Sequence, residues 1–193
     1  DIFRLITTDI VLARNVAPSS DLTILHGDLQ DYGQSVPHDV LLSTLSFFGM
    51  PPAWIQWYTT YLRVPLVQSN GTIQISTRGT PFGQSCSTLA DELLLVILDI
   101  ALASTTNITA HRNHDDFWLW DLDREKMEHA WQIMQDFTAR TGLGWNGTKT
   151  SCTVVKGTNS DEVTASTLPS RRLRWGILEL GANGKWKIDP QLV

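Results

Sequence analysis

Two adjacent carboxylates set into an apolar stretch are the feature that most restricts how this chain can fold. Asp115 and Asp116 follow Asn113 and His114, and the run Phe117-Trp118-Leu119-Trp120 comes directly after them. Burying two carboxylates is costly unless a cation or hydrogen-bond donors compensate them. The flanking segments predict two short strands with the polar residues at the tip of a hairpin. A solvated turn is the alternative interpretation, because Asp and Asn favour turns for local reasons.

A third carboxylate favours a functional hairpin over a simple turn. The segment from Asp21 to Gly27 predicts a short strand that ends at Asp28. A carboxylate at a strand end beside an Asp-Asp hairpin is an arrangement that holds two divalent ions for phosphoryl transfer. Mg²⁺ prefers hard oxygen ligands and retains waters, so three carboxylates together with substrate phosphates suffice. Because side chains alternate along a strand, we expect either Asp115 or Asp116 to be the principal ligand and the other to be auxiliary.

Two further segments have glycines at informative places. Gly79, Pro81 and Gly83 give a backbone that cannot continue a strand and that can approach a nucleotide or a template base closely. A simple turn before a helix is the alternative interpretation of this loop. Gly142 ends an amphipathic helix from Arg124 to Thr141, whose apolar residues are expected in the core.

In chain order, five segments resemble motifs A to E of the reverse transcriptase family, in its group II intron, non-LTR and telomerase-like branch. The segments are, in order, Asp28 with Ser35-Val36-Pro37, Arg78 to Ser85, His114-Asp115-Asp116, Gly142 to Thr150, and Arg174 to Leu178. One such segment is a weak signal, whereas five segments in the order of the family are a strong one.

The resemblance implies an RNA-directed DNA polymerase, a nucleotidyltransferase that works with two Mg²⁺ ions or with Mn²⁺. It implies Asp28, Asp115 and Asp116 as catalytic metal ligands. Lys149 is implied as a catalytic cation beside the leaving pyrophosphate, although a surface lysine is the simpler interpretation. The nucleotide- or template-binding residues that the resemblance implies are Tyr32, Gly33, Gly79, Pro81, Phe82, Gly83 and Gln84, and the primer grip is Trp175 and Gly176. The implied partners are an RNA or DNA template-primer, nucleoside triphosphates, and the fingers and thumb regions of a parent chain.

Three positions depart from the family pattern. Asn113 stands where the family usually has Tyr or Phe, and Phe82 stands where it usually has Gln. Gly33 occupies the place, five residues after the first Asp, of an aromatic residue that screens against a ribose 2′-hydroxyl. A glycine leaves room for that hydroxyl, so we expect ribonucleotides to be accepted as well as deoxyribonucleotides. A one-residue bulge that puts Tyr32 in this place is the alternative.

These departures also keep a non-catalytic interpretation open. A reverse-transcriptase-like fold can serve as a scaffold that binds RNA or protein, because a fold does not establish an activity. The three aspartates argue against this scaffold, since nothing structural requires an acid at each of the three positions.

Composition bounds the remaining expectations. The chain has 193 residues, of which 42% are hydrophobic, and this suffices for one core and a single domain over 1–193. The first residue is not Met, so we expect a segment excised from a longer protein, for example that of a retroelement. Two cysteines that form no metal pattern suggest an intracellular protein, in nucleus or cytoplasm. No apolar run is long enough to span a membrane. The net charge of −5 predicts weak, salt-sensitive binding of nucleic acid by this chain alone.

The expected fold is α+β, an antiparallel sheet backed by helices in a ferredoxin-like split β-α-β palm, with partial fingers and no thumb. The end of the fingers is assigned to 1–20, palm motifs A to D to 21–156, and the primer-grip hairpin to 171–189. Helices are predicted at Pro37 to Gly49, Pro51 to Leu62, Gln84 to Ala103 and Leu122 to Thr141. Strands are predicted at Leu22 to Gly27, Val64 to Ser76, Ile108 to Arg112, Phe117 to Trp120 and Ser151 to Val155. The polar stretch from Gly157 to Ser170 is predicted to connect flexibly to the terminal hairpin.

Overall fold

The structure is a computed structural model that describes residues 2–67, 69–81, 84–158 and 166–189. Its helices are α1 (Ile2–Val16), α2 (Tyr32–Ser35), α3 (His38–Phe47), α4 (Pro52–Leu62), α5 (Ser85–Thr106) and α6 (Arg124–Thr141). Its strands are β1 (Leu22–Asp28), β2 (Pro65–Val67), β3 (Ile73–Ile75), β4 (His111–Asn113), β5 (Asp116–Asp121), β6 (Ser151–Val155), β7 (Arg174–Trp175), β8 (Leu178–Leu180) and β9 (Trp186–Ile188).

A four-stranded antiparallel sheet with the order β4-β5-β1-β6 forms the centre of the molecule. Every residue of β1 is buried, because strands flank it on both sides and other elements cover both of its faces. Helices separate β1 from the β4–β5 hairpin and this hairpin from β6, which is the split β-α-β arrangement. The expected α+β palm fold is therefore confirmed.

Each face of the sheet contributes to a separate hydrophobic cluster. Leu25 on β1 and Phe117 on β5 belong to the larger cluster, together with buried residues of α3, α5 and α6. Ile24 and Trp118 belong to the smaller cluster, together with Leu180 of β8 and buried residues of α1. This division follows from the alternation of side chains along paired strands. The catalytic hairpin expected from the sequence thus lies between two packed layers.

Helix α1 was not among the predicted helices. Its buried residues Ile6 and Ile10 are one turn apart and pack on the sheet and on the terminal strands. At the same surface, the ring of Trp186 lies 5.1 Å from that of Phe3, and its Nε1 donates a hydrogen bond of 3.2 Å to Thr7 Oγ1. This helix therefore fixes the terminal three-stranded sheet against the palm.

Two strand predictions need correction. The strand predicted from Val64 to Ser76 is a hairpin of β2 and β3, because the polar turn at Gly71 has a left-handed φ of 81°. The strand predicted from Ile108 begins only at His111, since α5 continues to Thr106 and ends at a left-handed Asn107. Part of the predicted flexible connection, 159–165, lies outside the described residues. Within the described residues, no helix combines the length and the apolar character that a membrane span requires.

Candidate active site

The three aspartates singled out from the sequence meet at one end of the sheet. Strand β1 ends at Asp28 and β5 begins at Asp116, and these two residues are directly paired in the antiparallel register. Residues that face each other across such a pair project their side chains from the same face. Asp115 lies in the two-residue turn before β5, and its carbonyl accepts a hydrogen bond of 3.3 Å from Leu29 N. The predicted hairpin tip is confirmed by these elements.

Asp116 is held by two neighbours on the same face of the sheet. His26 Nε2 donates to one carboxylate oxygen, and Trp118 Nε1 donates to the other at 3.2 Å. The two rings stack with their centroids 4.1 Å apart, as expected for residues paired across β1 and β5. His26 and Trp118 were not predicted as site residues. The signal that would have found them is their position two residues from Asp28 and from Asp116, on the same face of each strand.

Asp28 is the most enclosed of the three acids. It is 8% exposed, its Oδ2 lies 3.1 Å from Lys149 Nζ, and its Oδ1 is buried without a hydrogen-bond partner among the described residues. The hydrogen bond with Asp28 raises the pKa of the Lys149 ammonium. Backbone contacts fix the loop that carries this lysine, because Asn146 N donates to Asp28 O at 2.8 Å. The structure therefore places Lys149 beside Asp28, and its role beside a leaving pyrophosphate stays a prediction.

The surroundings of Asp115 disfavour a negative charge on its carboxyl group. Burial raises the pKa of this carboxyl, and the nearby charges of Asp28 and Asp116 raise it further. The preceding residue, His114, has a left-handed φ of 57°, which lets the chain turn within two residues. Asn113, at the place of the missing aromatic residue, is exposed and is paired with Asp116 across the hairpin. Such a cluster of carboxylates favours a positively charged ligand.

A network of ion pairs ties the hairpin to α5. Arg112 Nε lies 2.9 Å from Asp99 Oδ2, and its Nη1 lies 2.5 Å from Glu92 Oε2. His114 Nδ1 bonds the second oxygen of Glu92 at 2.7 Å. Burial opposes the ionised form of Glu92, but the hydrogen bonds from His114 and Arg112 lower its pKa overall. This network was not predicted from the sequence, although two acids seven residues apart in an apolar helix mark one helix face.

The residues expected at the sugar of a nucleotide occupy different environments. Tyr32 is 1% exposed and lies in the larger cluster, where its hydroxyl donates a hydrogen bond of 2.8 Å to Asp91 O. A Cβ added at Gly33 would meet no atom within 4 Å among the described residues. Contact between Tyr32 and a nucleotide would require the ring to leave the core, whereas the space at Gly33 is open.

The loop before α5 packs against the turn that follows β1. Gly79 has a φ of 83°, and an added Cβ would lie only 2.7 Å from Gln34 O. Its N donates a hydrogen bond of 2.7 Å to Val36 O. The close backbone approach predicted for this glycine is thus made to the protein itself. Pro81 accepts a hydrogen bond from Ser87 and Gln84 precedes α5, whereas Phe82 and Gly83 lie outside the described residues.

An aromatic contact connects the predicted primer-grip residues with the strand that carries Asp116. The ring of Trp175 packs on that of Trp118 with their centroids 5.3 Å apart. Gly176 has a left-handed φ of 58° in the tight turn between β7 and β8. Trp118 therefore links the hairpin of the predicted grip to Asp116.

The three carboxylates are suitable ligands for a divalent ion, but they are not arranged as a complete metal site. Among the described residues, no group of three or more His, Cys, Asp or Glu is close enough to hold a metal ion. Carboxylate oxygens are nevertheless the ligands that Mg²⁺ prefers. The buried Asp28 Oδ1 has no hydrogen-bond partner among the described residues, which leaves it available to a ligand. The donor set therefore suits a hard cation.

The sheet order and the three acids at one end of the central strands match the palm arrangement that the sequence motifs predicted. The chain belongs to the reverse transcriptase family, because the family described as reverse transcriptase (RNA-dependent DNA polymerase) matches residues 6–175. No curated protein matches the chain.

Two solved telomerase structures show the same fold at low sequence identity. The telomerase of Candida tropicalis in complex with a fragment of telomeric RNA has a TM-score of 0.62 and 11% identity over 96% of this chain. The corresponding Candida albicans structure has a TM-score of 0.61 and 14% identity over 96% of the chain. The match covers 33% and 34% of those two proteins, so this chain spans about a third of their length.

Proposed function

We propose that the chain is the catalytic palm of a reverse transcriptase, which joins nucleotides to a primer along an RNA template. The observation that carries the proposal is the direct pairing of Asp28 with Asp116, with Asp115 in the adjoining turn. The family match over 6–175 supports the same activity. The partners are then a template-primer and nucleoside triphosphates, as the polymerase reaction requires.

The residues that would hold two Mg²⁺ ions are Asp28, Asp115 and Asp116. When bound, such ions supply positive charge that activates the attacking 3′-hydroxyl and stabilises the leaving pyrophosphate. His26 and Trp118 orient Asp116 through both of its oxygens, so this carboxylate keeps one position during the reaction. The pKa of Asp115 is raised because its carboxyl is buried beside the negative charges of Asp28 and Asp116. A bound cation would offset these charges.

Lys149 contributes a mobile positive charge at the same place. Its side chain is 61% exposed even though it contacts Asp28, so the ammonium can move from the carboxylate to a phosphate. A raised pKa keeps the ammonium protonated, so its positive charge can stabilise the charge that develops on the departing oxygen.

Primer extension tests the proposal with the full-length protein that contains this chain. RNA and DNA templates are each offered with deoxyribonucleotides in Mg²⁺ or Mn²⁺, and extension is measured for Asp115→Asn and Asp28→Asn. Loss of one metal-binding carboxylate is expected to lower the rate by about 100-fold or more. Asp136→Asn, which makes the same change at an exposed residue of α6, is expected to extend normally. Absence of extension from every template with a folded protein would favour the non-catalytic scaffold instead.

A second candidate function is a polymerase of the same fold that also accepts ribonucleotides. The open space at Gly33 supports it, together with the burial of the neighbouring Tyr32. Gly33→Tyr is expected to reduce extension with ribonucleotides while extension with deoxyribonucleotides is retained. Strong exclusion of ribonucleotides by the unmodified protein would contradict this candidate.

A further inference from the structure

A carboxylate of α5, that of Glu92, holds the turn that carries Asp115. Its Oε1 lies 2.7 Å from Nδ1 of His114, and its Oε2 lies 2.5 Å from Nη1 of Arg112. An ionised carboxylate only accepts hydrogen bonds, so Nδ1 of His114 carries the hydrogen of this contact. Glu92 thus connects α5 both with strand β4 and with the residue that directly precedes Asp115.

The backbone is fixed on both sides of the Asp115 side chain. Arg112 Nη1 donates a hydrogen bond of 3.2 Å to the carbonyl of His114, the group that is bonded to the nitrogen of Asp115. The carbonyl of Asp115 itself accepts a hydrogen bond of 3.3 Å from Leu29 N. Because both peptide groups are anchored, the direction of the Asp115 carboxylate depends on the conformation of this turn.

His114 has a backbone conformation that needs support. Its φ of 57° is left-handed, which costs free energy in a residue that carries a Cβ. Such a conformation persists only where the surroundings hold it in place. Glu92 binds the ring of His114, and the buried ring of Tyr32 packs against it edge to face with the centroids 5.4 Å apart. These two contacts of the ring can offset the cost of the left-handed turn.

Asp99 lies two helical turns further along α5 and has a different partner. Its Oδ2 lies 2.9 Å from Arg112 Nε. Within the part of the chain that the structure describes, it forms neither a hydrogen bond nor an ion pair with His114. Asp99 therefore anchors the arginine of β4, whereas Glu92 reaches the turn itself.

We propose that Glu92 is a positioning residue for the carboxylate of Asp115 and that it acts through the ring of His114. This inference rests on the proposed function, in which Asp115 binds a divalent ion. Partners that orient a metal-binding side chain typically change the metal affinity by about 10- to 100-fold. Without Glu92 the carboxylate of Asp115 is still present, but the turn at His114 can adopt other conformations, so the metal-binding orientation is populated less.

Binding of Mn²⁺ to the full-length protein that contains this chain tests the role without nucleotidyl transfer. Free Mn²⁺ is measured by electron paramagnetic resonance in the absence of primer and nucleotides, and the binding that is lost in Asp115→Asn defines the site. Glu92→Ala is expected to weaken this binding by about tenfold. Asp99→Ala, which removes the same charge from the same ion-pair network, is the matched control and is expected to weaken it by less than about threefold. Glu92→Gln lacks the charge but keeps an oxygen that accepts from His114, so it should retain most of the affinity.

His114→Gly separates positioning from folding and from charge. Glycine adopts the left-handed conformation without strain, and the exchange removes no negative charge. Mn²⁺ binding should still weaken by about tenfold, while the midpoint of thermal unfolding stays close to that of the wild type. Equal losses in Glu92→Ala and Asp99→Ala, or a Glu92→Gln variant as weak as Glu92→Ala, would overturn the positioning role even if primer extension supports a polymerase. Mn²⁺ binding that is the same in Asp115→Asn and in the wild type would count against the proposed function and, with it, against this role.

Discussion

Asp91 is a buried carboxyl whose ionisation should weaken the fold at neutral pH. It is 3% exposed on α5 and accepts a hydrogen bond of 2.9 Å from Thr80 Oγ1 through one oxygen. Its other oxygen, Oδ1, has no hydrogen-bond partner among the described residues. Burial raises the pKa of this carboxyl to about 6. The substitution Asp91→Asn keeps the shape of the side chain and removes its charge.

The direction and the size of the effect follow from the two pKa values. An unfolded chain has an Asp pKa of about 3.9, so the folded state holds the proton more tightly and loses stability as pH rises from about 4 to about 6. Two pH units at about 1.4 kcal/mol each give a cost of about 3 kcal/mol at neutral pH. The amide that replaces Oδ1 lacks a partner, which costs about 1–2 kcal/mol. Asp91→Asn should therefore be more stable than the wild type by about 1–2 kcal/mol at about pH 7.5.

The free energy of unfolding in urea, followed by tryptophan fluorescence, measures this effect at two pH values. Between about pH 7.5 and about pH 4.5 the advantage of Asp91→Asn should shrink by about 2 kcal/mol, because Asp91 becomes protonated in the wild type. Asp136→Asn, an exposed position on α6, should differ from the wild type by less than about 0.5 kcal/mol at both values. An Asp91→Asn variant that is less stable than the wild type at the higher pH, or that differs from it equally at both pH values, would contradict a buried charge at Asp91.

The remaining predictions concern the loop and the hairpin at the site. Gly79→Ala should destabilise the fold by about 2–4 kcal/mol, since it adds a clash with Gln34 to the left-handed strain. Gly71 has a similar φ, but a Cβ added there would meet no atom of the described residues within 4 Å, so urea unfolding of Gly71→Ala should show a smaller loss of about 1 kcal/mol. Arg112→Gln should cost about 1–3 kcal/mol, because two partly buried acids of α5 lose their cation. A loss no larger than that of Arg63→Gln in the same measurement would contradict this role of Arg112.

Local sequence patterns were enough to predict most elements of the palm and the position of its acids. The polar residues at Asp115 between two apolar segments predicted a hairpin. The short segment before Asp28 predicted a strand that ends at this residue. Both are local patterns, because the period of two in a strand and the turn chemistry act over a few residues. The helix that ends at Gly142 was predicted with its boundary for the same reason. Five motifs in chain order then indicated the family, which the match over 6–175 confirmed.

Contacts between side chains of different elements depend on how these elements pack in three dimensions. His26 bonds Asp116 because β1 and β5 pair in one register, and a slip of one residue would turn every side chain to the other face. Arg112 forms ion pairs with two acids of α5, a helix that precedes the β4–β5 hairpin in sequence. Helix α1 became stable through burial of Ile6 and its neighbours against strands at the other end of the chain. Each of these contacts joins residues far apart in sequence, so its energy depends on how the elements pack and no local pattern contains it.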